Sequence, residues 1–320
     1  MTAPRSRGRR AVVALLLTVP LVLAACSSSD DGSQPTGAPE PTDTRDPWTT
    51  VIPQDPVLDE DSDGIAAALA EENGATALVY EYGVPIYEAD ADTPMVRVTC
   101  TEEDWGECPV EGEPVPIPEE AAANSGSDGA MVVIDREAGR AYDFWRAERV
   151  SAGRWDVSWG TYASLDDGVV RGGSGSTGAG INLLAGVVRT EEVRAGEIGH
   201  ALAFASDLSC PEVFRYPAVK TDGHATSEPC VPQGARLQLD PTIDVAAIPG
   251  ITPAEIAVAR ALQTYGGYVR DSAETALAVA FEKPAEGDDV YAAAGIPWDF
   301  YDLPHIPWDS LRVLQTWDGS

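Results

Sequence analysis

The chain has 320 residues, 52 of them acidic and 21 basic, for a net charge of −31. A surface this negative repels nucleic acid and other polyanions at long range, so a nucleic-acid partner is not expected. The length allows a sizeable core, in one large domain or two small ones.

The first 25 residues carry Arg5, Arg7, Arg9 and Arg10 ahead of a short apolar run at 11–23. Leu23-Ala24-Ala25-Cys26 then has the form of a bacterial lipobox, cut before the cysteine. The apolar run is too short for a membrane-spanning helix, and Pro20 interrupts it. The expected mature chain therefore begins at a lipidated Cys26. Its acyl chains would hold it in the lipid bilayer, on the outer, extracytoplasmic face of the bacterial cell membrane. Removing residues 1–25 takes away four arginines and no acid, so the net charge falls from −31 to −35. Residues 26–57 are Ser, Asp, Gly, Pro and Thr with little apolar content. They read as a disordered acidic tether, and 58–320 as a single β-rich globular domain.

Four cysteines remain after Cys26, and an even number in an exported chain reads as two disulfides. Of three connectivities, Cys100–Cys108 and Cys210–Cys230 are preferred, because each pair brackets a loop rich in Pro, Gly and acids. No C-x-x-C spacing is present and only His224 lies near a cysteine, so no metal is expected. No cofactor signature is found either.

In the domain, Ser62 is expected to cap a short helix that runs through 63–72. Strand pieces are expected at 78–82, 84–87 and 95–99, then a Pro-rich acidic loop at 107–120. Residues 131–134 and 140–147 form a hairpin around 135–139. Trp155, Val157 and Trp159 alternate on a further strand, and Asp166-Asp167-Gly168 marks a turn. The stretch 171–206 comes next. It contains a glycine-rich loop of small residues, an apolar run at 181–188, and one helical turn capped by Thr190 and stopped by Gly196. From 197 to 205 the chain alternates with period two. Ile198, His200, Leu202 and Phe204 fall on one face, and Gly199, Ala201, Ala203 and Ala205 on the other. Such a strand belongs inside a sheet, and its small face admits a close second layer. His200 reads either as a core histidine or as a site histidine.

Beyond it, 235–240 alternates, with Leu237 and Leu239 facing in and Arg236, Gln238 and Asp240 on a polar face. Thr252-Pro253-Ala254-Glu255 opens a helix with a capping box, and Gly266-Gly267 stops it. Residues 268–271 and 276–282 suggest a hairpin, and a tail with Trp298, Trp308 and Trp317 is expected to wrap the core. The expected class is mainly β: a jelly-roll-like two-sheet sandwich with one or two short helices packed on it.

Several blocks carry a resemblance. They are Tyr142-Asp143-Phe144-Trp145, Thr177-Gly178-Ala179-Gly180, Leu184 to Arg189, Glu197-Ile198-Gly199-His200-Ala201-Leu202, and Leu262-Gln263-Thr264-Tyr265-Gly266 with the residues to Asp271. Over roughly 125–275 the chain resembles a widespread, largely uncharacterised family of secreted bacterial proteins. The His-Ala-Leu strand and the Leu-x-x-Tyr-Gly helix end are its most specific elements. The resemblance implies export and a β-rich fold. The family pattern has a histidine soon after the aspartate matching Asp128; here Gly129-Ala130 follows, so no two-histidine mechanism is implied.

No G-x-S-x-G elbow, P-loop, H-E-x-x-H or dinucleotide fingerprint occurs. Aromatic and carboxylate chemistry remains. Asp143 and Trp145 share a strand face by parity, an arrangement that stacks a sugar ring and accepts its hydroxyls. Trp159 and Trp155 also share a face, where core packing is the stronger reading. Asp271 follows the helix stop. Asp143 and Asp271 form a candidate carboxylate pair for glycoside hydrolysis, with His200 in the same groove. The leading expectation is a cell-surface lipoprotein with a carbohydrate-recognising sandwich and, in its enzymatic form, a glycoside hydrolase. One alternative is a non-catalytic envelope lipoprotein that binds or supports. The other is a polysaccharide lyase with His200 as base, Tyr268 as acid and Arg236 as neutraliser.

Overall fold

The strand Leu202–Ala205 lies inside a six-stranded mixed sheet, as its two apolar faces require. The strand order is Thr76–Leu78, Ala278–Ala280, Leu202–Ala205, Gly267–Asp271, Arg236–Leu239, Leu311–Val313. A computed structural model supplies this description for residues 46–70, 74–166, 169–171 and 175–315. The lipobox, Cys26, the tether to residue 45, the turn at Asp167-Gly168 and Trp317 lie outside the described residues.

Three apolar clusters stack through the domain. On one face of the central sheet, Ile198, Leu202 and Phe204 pack with helices α1 (Ser62–Ala70) and α3 (Pro253–Thr264) and with Tyr291 of α4 (Val290–Ala294). On the other face, Ala201 and Ala203 meet Leu183, Leu184, Ala185 and Val187, then Val132, Ile134 and Ala141 of a second sheet. The small face does what its composition demands: Ala203 N–H donates to Gly186 O at 2.9 Å. A Cβ on Gly186 would sit 2.8 Å from Ala203 N, so no larger residue fits that approach.

The second sheet has five strands, ordered Val169–Arg171, Trp159–Asp166, Arg140–Trp145, Met131–Asp135, Ile86–Ala89. Its far face, with Met131, Val133, Tyr142 and Phe144, packs on Val96, Val98, Trp155 and Val157 of a four-stranded sheet. A two-stranded pair, Ser209–Phe214 with Val231–Gln233, completes the β structure among the described residues. The fold is mainly β, with four short helices among the described residues; α2 (Thr190–Ala195) is the remaining one. Both disulfides, Cys100–Cys108 and Cys210–Cys230, are formed as expected.

Several expectations are corrected. The domain takes in residues before 58: Trp48 and Ile52 are buried, so this part of the expected tether is anchored on the core. The expected strand at 197–205 shortens to Leu202–Ala205, because the Gly196 stop and Gly199 leave His200 in the approach to the strand. Residues 268–271 and 276–282 make no hairpin, since Leu202–Ala205 inserts between Gly267–Asp271 and Ala278–Ala280. Arg236 and Gln238, expected on a polar face, are buried and bonded to carbonyl oxygens at the end of α3. Trp159 starts its own strand instead of continuing that of Trp155.

Candidate functional site

Strand parity places Ala141, Asp143 and Trp145 on the face that meets the loop at 175–183. Asp143 is fully buried, and its Oδ2 accepts from Ser176 N (2.9 Å), Ser176 Oγ (3.0 Å) and Leu183 N (2.8 Å). Its Oδ1 is buried with no hydrogen-bond partner among the described residues. Asp271 takes the same loop one step further along: its Oδ1 accepts from Gly178 N at 3.0 Å and from Ser272 N at 3.1 Å. Between them Arg270 is buried, its Nη1 donating to Leu183 O and Ala185 O, both at 2.6 Å. The structure thus brings the two carboxylates of the sequence pair onto one loop.

Burial dominates their electrostatics. It pushes Asp143 up to about 6, against hydrogen bonds from Ser176 and Leu183 and the Arg270 charge. Burial pushes Asp271 up to about 7, helped by the Asp222 and Asp128 charges and opposed by Gly178 N–H and Arg270. Burial also pulls Arg270 down to about 10, against the two acids. A carboxyl near 7 can hold and release a proton at neutral pH.

Two further acids complete the site. Asp222 lies against Gly178: a Cβ there would come within 2.1 Å of Asp222 Oδ1, so any larger residue must displace that carboxylate. Gln233 Nε2 (2.5 Å) and Ser272 Oγ (2.8 Å) donate to that same oxygen. Asp222 reaches this position from the loop closed by Cys210–Cys230, where Thr221 Oγ1 donates to Cys210 O at 3.1 Å. Asp128 is exposed as a residue, yet desolvation of its carboxyl raises its pKa, with Asp222 adding to the rise and Trp145 and Arg146 opposing it.

Trp145 links these acids to an aromatic surface. Trp105 stacks on it at 5.6 Å between ring centroids and 13° between planes, and Arg146 covers it at 4.2 Å. Trp159 pairs with Trp145 across the strands and tilts toward Trp105 at 6.0 Å. Trp105 is 57 % exposed, so one end of this group faces solvent.

His200, Arg236 and Tyr268 stand apart from this group of acids and tryptophans. Tyr268 is 1 % exposed and donates to Pro47 O; Arg236 donates to Tyr265 O and Thr50 O while covering the Tyr268 ring. Both anchor the packed N-terminal segment. His200 faces Ala201 O through Nδ1 (2.9 Å) and Glu192 Oε2 through Nε2 (3.1 Å). It lines a separate pocket with Trp48 and residues 184–187, whose lining contains neither Asp143, Trp145 nor Asp271. Neither Tyr268 nor Arg236 lines that pocket, so the three groups named for a lyase do not share it.

Sequence reasoning found Asp143, Trp145 and Asp271 but missed Asp222, Asp128, Arg270, Ser176 and Trp105 as a group. Arg270 adjoins Asp271, and Asp222 sits in the disulfide-bracketed loop, yet nothing in spacing says that this loop folds over Gly178. Among the described residues, no group of three His, Cys, Asp or Glu side chains could hold a metal ion. Comparison with protein-family models, curated proteins and solved structures finds no match for this chain.

Proposed function

We propose that this chain is a lipid-anchored protein of the outer cell surface that recognises carbohydrate through the groove at Trp145, Asp271, Asp222 and Asp128, and hydrolyses glycosides there. The observation that carries the reading is Asp271. Its carboxyl is pushed up to about 7 by burial and by the Asp222 and Asp128 charges, and Asp128 in turn bonds Trp145 of the partly exposed tryptophan stack. Glycoside hydrolysis needs one carboxyl that keeps its proton and another that stays ionised. In this assignment Asp271 is the acid, Asp222 the second carboxylate, and the Trp105–Trp145 stack the sugar platform. Asp143 has a different role: buried under the loop, it positions Ser176 and Leu183.

A non-catalytic binding role is favoured by one observation: Asp222 and Asp271 each already accept two hydrogen bonds from neighbouring residues. A glycan array followed by turnover assays separates the two. Trp145→Ala should weaken binding by about 1–3 kcal/mol, since it deletes an apolar stacking surface. Asp271→Asn should abolish turnover and spare binding. Binding with no turnover on any glycan makes this a binding protein; no binding at all rejects the carbohydrate reading.

A further inference from the structure

The pocket at His200 has its own chemistry. It is a cavity of about 300 Å³, lined by Trp48 and 184–187 on its apolar side and by Arg189, Glu191, Glu192 and His200 on its polar side. That volume is at the small end of ligand pockets, roughly 300–1,000 Å³.

The polar groups are not equally occupied. Both ring nitrogens of His200 face acceptors, the Ala201 carbonyl and the Glu192 carboxylate. Keeping both as hydrogen bonds requires the imidazolium. Glu192 is therefore neutralised by His200, and its Oε2 also caps Arg189 N at 2.9 Å. Arg189 gives only Nε to Glu282, at 3.1 Å. Its two terminal amino groups have no hydrogen-bond partner among the described residues, although its side chain is only 23 % exposed. A guanidinium fork with its far side open is matched by a planar carboxylate. Glu191 is exposed and likewise has no hydrogen-bond partner among the described residues. Counting Arg189 with Glu282 and His200 with Glu192, the charge left over among the lining residues is that of Glu191; Arg136, the nearby cation, is hydrogen-bonded to Glu88, so an ammonium would match Glu191.

We propose that this pocket is a second ligand site, for a small zwitterion of the α-amino-acid type with an apolar side chain. The carboxylate takes the free side of the Arg189 guanidinium and the ammonium pairs with Glu191. The side chain lies on Leu184, Val187 and Trp48. The His200–Glu192 pair positions the wall and keeps a second free carboxylate from repelling the ligand. This site is independent of the sugar groove.

Calorimetric titration of the full-length protein tests it, with L-alanine, L-valine and L-leucine as the panel. Saturable binding of at least one is expected. The matching amide, which lacks the carboxylate, and the matching carboxylic acid, which lacks the ammonium, should each bind at least tenfold more weakly. Glu191→Gln should also weaken the amino acid at least tenfold, and it disturbs no bond of the fold. Arg189→Lys keeps the charge but loses the fork and should behave alike; if it fails to fold, Glu191→Gln decides. No binding by any panel member, equal binding of amide and acid, or indifference to Glu191→Gln overturns the proposal.

Discussion

Gly178 shows how one residue sets the chemistry of the site. Its missing side chain lets Asp222 close on the loop, while its N–H holds Asp271. Asp222 is the charge that most raises Asp271 after burial itself. Gly178→Ala must push the Asp222 carboxylate away, so the Asp271 pKa should fall from about 7 toward the ordinary carboxylate range. Asp222→Asn should do the same without touching the loop backbone. Carboxyl chemical shifts followed through a pH titration read this directly; an unmoved Asp271 in both variants refutes the coupling. None of this was legible in Thr177-Gly178-Ala179-Gly180, which marks a loop of small residues and says nothing of what lies on it.

At the scale of elements, local rules succeeded where the partner groups are close in sequence. Helix α3 has the expected capping box: Thr252 Oγ1 accepts from Glu255 N at 3.3 Å, and Glu255 Oε2 accepts from Thr252 N at 2.9 Å. Thr252→Ala should cost about 1 kcal/mol, measured by denaturant unfolding. A change within error would mean that the tertiary contacts of the helix start carry the cap alone. Those contacts include Glu255, fully buried and bonded to His305 at 2.9 Å. Helix α2 ends at Gly196 in the left-handed conformation, as read from the sequence, but Arg189 rather than Thr190 is its N-cap. The hairpin at 268–282 failed for the opposite reason. Two strands adjacent in sequence were separated by a third drawn from 60 residues upstream, because that strand needed both of its apolar faces covered.

For the whole molecule, the displaced carboxyls set a pH dependence. Asp143 and Asp271 have folded pKa values above the ordinary carboxylate value, so the folded state binds their protons more tightly than the unfolded chain. Their contribution is fully present below about 4 and is lost as pH rises through about 6 and 7. His200 acts with the same sign. Burial opposes its charge, but Glu192 and the Ala201 carbonyl outweigh it and raise its pKa, so its stabilisation is lost as pH rises through the raised value. The melting temperature should therefore be higher at pH 5 than at pH 8. The Asp143→Asn, Asp271→Asn double variant should flatten most of that slope, which separates these groups from the general relief of net negative charge. A profile flat or rising between pH 5 and 8 contradicts the assignment.

The sequence by itself determined the mainly β class, the pairing of the four cysteines, the start of α3, the end of α2, and the two-sided burial of Leu202–Ala205. Each depends on periodicity, on a cap, or on a short closed loop, all of which are local. Parity alone also put Asp143 and Trp145 on one face. Only the tertiary structure decided which carboxylates meet and where His200 points. It also decided that Trp48, Arg236 and Tyr268 clamp the entering chain. Those outcomes depend on which distant segment covers which face. A side chain's protonation follows from the water its neighbours exclude, and that is a property of the assembled layers rather than of any stretch of the chain.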